Sequence, residues 1–340
     1  MDDESGSSHR KASKKPKKEI KARSTELAWD EANALVVEIF PKQCRVRFFS
    51  DRSEILCSYR RAQVIDKTTR SEDQIRERSP VAVGDRVKAE MTGNDSGIVE
   101  GICARKNSLL RPAPGRDDPT LAQVFAANID AVLIVASVDE PLFSSGMVDR
   151  YLVAAGAAQI PAWIAVTKMD LHPPAQAMAD LQIYRDLGLS LFEASSKRGV
   201  GIDELRTALM GRTVVFCGRS GVGKTSLLRS LLGSDIGKIA EVSQATGKGR
   251  HTTTSAILIP GPKKSAADPD SNWIDTPGVR EFGLTGVEVE KLSGFFPEFQ
   301  NLGCEIAGCL HREEPGCSVK TLARYASYRR ILESLLAGER

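Results

Sequence analysis

No run of apolar residues in this chain approaches the roughly eighteen needed to cross a bilayer as a helix. A membrane span is therefore not expected, and the acidic start Met1-Asp2-Asp3-Glu4 does not resemble a secretory or transit peptide. The expectation is a cytoplasmic monomer with no membrane partner. Cysteine is too sparse for a disulfide framework: there are seven in 340 residues, and three of them crowd into residues 304–317 beside a histidine. That pattern suits a reducing compartment and a metal. Cys44, Cys57, Cys103 and Cys217 lie scattered through apolar segments and read as small buried hydrophobes. A large charge of one sign is also missing. The formal net charge is +3; of 47 basic and 44 acidic residues, residues 1–24 hold eight and four, which leaves 39 and 40 for the rest. The basic excess sits in an N-terminal tail, residues 1–29, where Lys11-Ala12-Ser13-Lys14-Lys15-Pro16-Lys17-Lys18 has almost nothing to bury. Such a tail is expected to be disordered, either lying along a phosphate backbone or serving only to keep the chain in solution.

What is present is an ordinary soluble composition, 41% apolar and 27% charged, long enough for two or three domains. Its organising stretch is Gly218-Arg219-Ser220-Gly221-Val222-Gly223-Lys224-Thr225, with Ser226 behind it, which fits the phosphate-binding spacing G-x-x-x-x-G-K-[ST]. The apolar run Thr213 to Cys217 precedes it as a buried strand, and residues 226–232 follow with helical spacing, so the motif has the context it requires. Glycines let successive backbone N–H groups turn inward around a phosphate, and the helix N-terminus adds its positive end. Lys224 then reaches the outer phosphates and the Thr225 hydroxyl can hold Mg²⁺.

Residues 33–112 read as short strands punctuated by turns: Leu35 to Phe40, Arg45 to Phe49, Ile55 to Cys57, Asp85 to Ala89 and Gly97 to Ile102. That cadence predicts an OB-type β-barrel over residues 30–112. Arg45, Arg47, Arg52, Arg60 and Arg61, with Phe49 and Tyr59 nearby, give it the cationic and aromatic mixture used on RNA, although solvated arginines at strand edges would look the same. A Pro/Gly/Asp-rich loop at 111–120 marks a change of rhythm. Strands at 130–136, 162–166 and 189–193 then alternate with helices at 145–158, 174–187 and 201–210, which predicts an α/β domain over 113–285 built on a parallel sheet.

Two strands of that domain end in polar motifs, Thr167-Lys168-Met169-Asp170 and Ala194-Ser195-Ser196-Lys197, at the carboxyl ends where such sheets bind ligands. An Asp carboxylate accepting two N–H groups from a guanine edge would exclude adenine, which lacks that donor pair. Alone, such a turn is weak evidence. Downstream, Trp273-Ile274-Asp275 ends in Thr276-Pro277-Gly278, where the Asp can hold Mg²⁺ through water and the Gly N–H can meet a γ-phosphate. Between them lies Gly249-Arg250-His251-Thr252-Thr253-Thr254, a polar segment of switch type; Thr253 is the candidate to complete the metal shell when GTP is bound.

In ordinary GTPases the phosphate loop comes first and the guanine-reading motifs last, whereas here the order is T-K-M-D, S-S-K, phosphate loop, H-T-T-T, D-T-P-G. The domain is circularly permuted, which compact domains with neighbouring termini tolerate. Permutation, barrel in front and a Cys/His knot behind closely resemble the RsgA (YjeQ) family of ribosome small-subunit-dependent GTPases over about residues 30–335. The resemblance assigns Lys224 to the β- and γ-phosphates, Thr225 and Asp275 to Mg²⁺, and Gly278 to γ-phosphate sensing. It assigns Asp170 and Lys168 to the guanine and the Ser196 backbone N–H to the base oxygen. Thr167 stands where Asn is usual, and its shorter side chain is expected to weaken one base contact and one loop tether. Val279 follows D-T-P-G where many GTPases place a water-orienting glutamine, so isolated hydrolysis is expected to be slow; the resemblance offers His251 as the catalytic substitute.

The last segment, residues 286–340, carries Cys304-x₄-Cys309-x-His311-x₅-Cys317. Three thiols and one imidazole can close a tetrahedral shell around one structural Zn²⁺. A helix from Val319 to Leu336, bearing Arg324, Tyr325, Tyr328, Arg329 and Arg330, is expected to pack on the knot and turn a basic side either to RNA or to solvent. Another helical stretch is expected at 286–296, through which the γ-phosphate would change the angle of the zinc domain. The whole predicts a GTP hydrolase that, by resemblance, works in late maturation of the small (30S) ribosomal subunit and is stimulated by it. A P-loop ATPase, or an RNA-binding assembly scaffold with a regulatory nucleotide site, are the competing readings.

Overall fold

The computed structural model describes residues 27–59, 76–77, 81–93, 95–112, 121–233, 256–263, 265–276, 284–300, 304, 306, 308–312 and 314–338. The chain enters through β1 (Ala34–Phe40), β2 (Gln43–Phe48), β3 (Glu54–Tyr59), a two-residue β4 (Arg76–Glu77), β5 (Arg86–Met91) and β6 (Ser96–Ile102). Val36, Cys44, Val46, Ile55, Cys57, Val87, Ala89 and Val99 form one buried core, as period-two strands require. The ring β1-β2-β3-β6-β5 closes on itself because β1 pairs with both β2 and β5, giving the expected OB-type barrel. Gly97 permits its tightest approach: a Cβ there would lie 2.6 Å from the Glu90 carbonyl oxygen.

The hairpin of β7 (Ser108–Pro112) and β8 (Leu121–Ala127) follows, and β8 also pairs with β4. A boundary at 112/113 thus falls inside a hairpin whose two strands are hydrogen-bonded to each other. The α/β unit comprises β9 (Ala131–Ser137), α1 (Ser145–Ala157), β10 (Ala162–Thr167), α2 (Ala175–Asp186), β11 (Leu191–Glu193), α3 (Ile202–Leu209), β12 (Thr213–Cys217), α4 (Lys224–Leu232), β13 (Ile257–Pro260) and β14 (Asn272–Asp275). Its strand order is β11-β10-β9-β12-β14-β13, parallel except for β13. All seven residues of β9 are buried, because Val132, Ile134 and Ala136 face one helical layer while Ala131, Leu133 and Val135 face the other. At its far edge the sheet continues into the barrel: β13 pairs antiparallel with β1, Ile257 opposite Glu38.

The C-terminal unit has a 3₁₀ helix (Val289–Phe295), a single turn α5 (Pro297–Gln300), a second 3₁₀ turn (Ser318–Thr321) and α6 (Tyr325–Leu336). The two expected helices, 286–296 and 319–336, are therefore corrected. The first is 3₁₀, and the second is broken because Leu322 is extended and Arg324 is turned inward as the N-cap of α6. Phe296, Phe299, Tyr328, Ile331, Leu332 and Leu335 form the core of this unit, and Val153 of α1 is buried in the same cluster. A Cβ on Gly156 would lie 2.8 Å from the Phe295 ring, so α1 sits hard against the unit. Four free cysteines behave as expected: Cys44, Cys57, Cys103 and Cys217 are all buried, and burial pushes the Cys44 thiol up to about 12 and that of Cys57 to about 11. Among the described residues no helix is long and apolar enough to cross a membrane.

Candidate functional site

The carboxyl ends of the parallel strands share one rim. Thr167 lies opposite Ser137, Cys217 opposite Ile134, and Phe216 opposite Asp275. The described parts of the nucleotide motifs, the phosphate loop, the T-K-M-D and A-S-S-K turns and the start of D-T-P-G, hang from this rim. The phosphate loop leaves β12 at Gly218, where an added Cβ would lie 2.3 Å from the Val135 carbonyl oxygen, so only glycine lets the loop turn over β9. Gly223, at φ 87°, caps α4 in the left-handed region and aims the first turn, Lys224 to Ser226, back toward the loop.

Lys224 Nζ lies 3.1 Å from Asp275 Oδ1 and donates a hydrogen bond to the Thr276 carbonyl. The Thr276 hydroxyl in turn donates to the Phe216 carbonyl at 2.8 Å. The lysine expected on phosphates and the aspartate expected on Mg²⁺ are thus within one ion pair of each other. Arg219 and Val222 line a small pocket together with Pro141, Ser144, Met147 and Val148, bringing the loop against the first turn of α1.

Asp170 follows β10 on the same rim. Its Oδ1 accepts a hydrogen bond from Ser195 Oγ at 2.7 Å, and Ser195 Oγ itself accepts from the Arg198 N–H at 3.1 Å. The Ser195 bond, with Lys197 and Arg198 as weaker contributors, holds this exposed carboxyl below its ordinary value, so it is an anion at neutral pH. Met169 N–H donates to the Ala194 carbonyl at 3.3 Å, which locks the two motif turns side by side. Lys168, at φ 59°, directs its ammonium to the Glu140 carbonyl. Ser196 and Lys197 occupy the turn between Ser195 and Val200, whose backbones pair as an isolated bridge.

One expectation about Thr167 is corrected. Its hydroxyl lies within hydrogen-bonding reach of the Val222 carbonyl in the phosphate loop and of the Ala136 carbonyl at 3.2 Å. The tether between the guanine-side motif and the loop is made, because the buried β10 end brings the short side chain close enough. A Cβ on Gly223 would be 3.4 Å from that hydroxyl oxygen, placing the T-K-M-D turn and the phosphate loop in van der Waals contact. His251, Thr253, Gly278 and Val279 lie outside the described residues.

The barrel's expected cationic side is rearranged as well. Arg47 is buried against Glu54 at 2.7 Å, Arg45 meets Glu38 at 3.5 Å, and Arg52 is paired with Asp270 of the α/β unit. These charges are spent internally; Arg60 and Arg61 lie outside the described residues. Arg86, which the sequence reading passed over, lies 4.9 Å from the Trp29 ring and 4.6 Å from the Phe49 ring.

At the other end, the ligand atoms of Cys304, Cys309, His311 and Cys317 all lie within 4.8 Å of one another, with His311 Nδ1 3.4 Å from Cys309 Sγ and 3.2 Å from Cys317 Sγ. The backbone is bent for this purpose: His311 takes φ 54°, and the Tyr325 and Tyr328 hydroxyls donate to the His311 and Leu310 carbonyls, each at 2.8 Å. Loss of solvation lowers the His311 pKa, which keeps the imidazole neutral as a ligand must be. Three thiols and an imidazole converging on one point form a group that could hold a metal ion.

A phosphate loop and a guanine-type Asp on one rim, reached in permuted chain order, define a circularly permuted P-loop GTPase. The chain belongs to the RsgA GTPase family, whose family model matches residues 102–285. A relative in Chlorobaculum parvum, named small ribosomal subunit biogenesis GTPase RsgA, is 38% identical over 271 residues, 75% of this chain and 85% of that protein. One of the same name in Bacteroides fragilis is 34% identical over 278 residues, 78% and 87% of the two chains. Among solved structures, YjeQ from Thermotoga maritima superimposes with a TM-score of 0.65 at 27% identity, covering 90% of this chain and 98% of its own. YloQ, titled a circularly permuted GTPase, gives 0.60 at 25% identity, covering 89% and 94%. The protein is accordingly a GTP-hydrolysing enzyme.

Proposed function

We propose that this GTPase acts in the cytoplasm, as a monomer, as a late biogenesis factor of the small (30S) ribosomal subunit, and that contact with that subunit and its rRNA raises its GTP turnover. The observation that carries the reading is the locking of the Asp170 and Ser195 turns to the phosphate loop through Thr167, in a chain whose relatives carry the small-subunit name. In this reading the ionised Asp170 accepts the N–H pair of guanine, Ser195 fixes its orientation, Lys168 covers the base and the Ser196 N–H meets the base oxygen, with Lys197 beside it. Backbone N–H groups from Gly218 to Ser226 wrap the phosphates, and Lys224 exchanges its Asp275 partner for phosphate oxygens. Thr225 and Asp275 would hold Mg²⁺, which when bound neutralises charge on the β- and γ-phosphates. Freed from Lys224, Asp275 offers a carboxylate on the strand end next to Thr225's helix. Gly278, Thr253 and His251 are assigned to γ-phosphate sensing, the metal shell and catalysis by family resemblance alone.

The donor set at Cys304, Cys309, His311 and Cys317 fits one structural Zn²⁺, because a full protein shell leaves no position for substrate. The deciding experiment measures steady-state GTP turnover with and without purified small subunits. A many-fold rise is expected; unchanged turnover at saturating subunit would overturn the reading.

A further inference from the structure

The basic face expected on the last helix is largely absent. Arg324 is buried, Arg329 pairs with Glu333 at 2.8 Å, and Tyr325 and Tyr328 are bonded to the metal loop. Arg330 is different. Its guanidinium lies across α1: a Cβ built on Gly146 would be 3.4 Å from Cζ and 3.4 and 3.5 Å from the two terminal nitrogens. Near-equal distances mean that Arg330 presents its flat face, not its N–H edge, to the helix. Nε donates to the Ala326 carbonyl at 3.2 Å, and among the described residues nothing accepts from the terminal nitrogens.

One turn further along the same seam, Arg150 of α1 donates from Nη1 to the Ser334 hydroxyl oxygen of α6 at 3.2 Å, while its buried Nε has no acceptor among the described residues. Gly146 and Arg150 are four residues apart on α1, and Arg330 and Ser334 are four apart on α6, so each pair stacks on one helix face. Two guanidinium groups thus line one inter-helix seam, neither with a carboxylate partner among the described residues. The terminal nitrogens of the exposed Arg330 form an unspent N–H edge that matches phosphate oxygens in bidentate geometry, and Arg150 adds its positive charge beside it.

We propose that the α1–α6 seam, through Arg150 and Arg330, binds a backbone phosphate of RNA; this rests on the small-subunit reading above and assigns one contact within it. The same helix α1 also lines the pocket beside Arg219 and Val222, with Met147 and Val148.

The test measures binding of the full-length protein to purified small subunits across a salt series, for wild type, Arg330→Gln, Arg150→Gln, the double variant and Gly146→Ala. The double variant is expected to flatten the slope of log K against log salt by about 0.7–0.9, the share of one phosphate, with Arg330→Gln giving most of that change, and basal GTP turnover of Arg330→Gln is expected to be unchanged. Gly146→Ala keeps both charges and places its Cβ at ordinary van der Waals distance from the guanidinium, and is expected to leave the slope unchanged. The control Arg229→Gln removes an exposed charge elsewhere and is expected to leave the slope alone. Wild type that fails to bind subunits would overturn the functional reading and the seam together. Wild-type binding with an unchanged slope in the double variant, or an equal change in Arg229→Gln, would overturn the seam alone.

Discussion

Replacing Arg324 with alanine tests how the C-terminal unit is held to the GTPase sheet. Arg324 is buried; its Nε donates to Asp149 Oδ1 of α1 at 2.9 Å, its Nη1 reaches both Glu298 carboxylate oxygens at 3.2 and 3.1 Å, and its guanidinium lies 4.6 Å from the Phe296 ring. Tyr184 adds a hydrogen bond to Asp149 at 2.9 Å. Removing the cation leaves Asp149 fully buried and, with Glu298, uncompensated. Breaking such a buried pair costs about 3–5 kcal/mol, which at roughly 2–4 °C per kcal/mol corresponds to about 6–20 °C in the transition that frees this unit. Differential scanning calorimetry with limited proteolysis reads both the shift and the segment released. Acidification supplies a second reading. Burial raises the Asp149 pKa in spite of Arg324, and losing the arginine removes the main influence that lowers it. A carboxyl whose folded pKa exceeds its unfolded value contributes stability at low pH and loses it as pH rises through the folded value. Arg324→Ala should therefore regain stability relative to wild type as the pH falls from neutral, and the double variant with Asp149→Leu should recover much of the loss at neutral pH. A loss below about 1 kcal/mol, the range of an ordinary surface substitution, or a deficit that deepens on acidification, would refute the reasoning.

Asp170→Asn should lose about 2–3 kcal/mol of GTP-over-ATP preference, since a carboxamide cannot accept both guanine N–H groups; competition binding reads this, and retained preference would remove Asp170 from base recognition. Because the Ser195 hydrogen bond keeps the Asp170 pKa low, wild-type preference should hold steady from neutral down to about pH 5, a decline over that range being the contrary result. In Gly218→Ala the new Cβ would meet the Val135 carbonyl at 2.3 Å, so nucleotide binding, read by fluorescent GDP titration, should fall by more than tenfold, while Gly294→Ala, whose Cβ would meet nothing closer than 3.9 Å, should not affect it. Cys309→Ser should lower the metal content measured by elemental analysis well below one zinc per chain and make the C-terminal unit protease-sensitive; full zinc retention would exclude Cys309 from the ligand set.

Apart from the antiparallel edge strand Ile257–Pro260, which was not expected, the elements of the α/β unit were legible to within a residue or two, because fully buried strands such as Ala131–Ser137 and the phosphate loop carry local signals that tertiary contacts reinforce. The convergence of Cys304, Cys309, His311 and Cys317 was legible from spacing alone. Less visible was anything fixed by pairing between distant segments. Arg45, Arg47 and Arg52 read as a ligand surface until Glu38 and Glu54 from neighbouring strands and Asp270 from the loop before β14 arrived to neutralise them. Thr167 looked too short for its tether because the distance to Val222 is set by sheet register, which no local pattern encodes. The break ahead of Tyr325 was hidden for the same reason: residues 319–336 keep helical spacing, and only the burial of Arg324 against α1 shows why the helix starts late.

The short pairing of β1 with β13 has a bearing on how the protein can be dissected. Without the barrel, β13 would become the outermost strand of the GTPase sheet, with a row of unsatisfied backbone donors and acceptors open to solvent. Such rims recruit strands from other molecules and drive self-association. The barrel therefore doubles as a guard, and fragments that begin after residue 112 should be harder to keep dispersed than the intact chain.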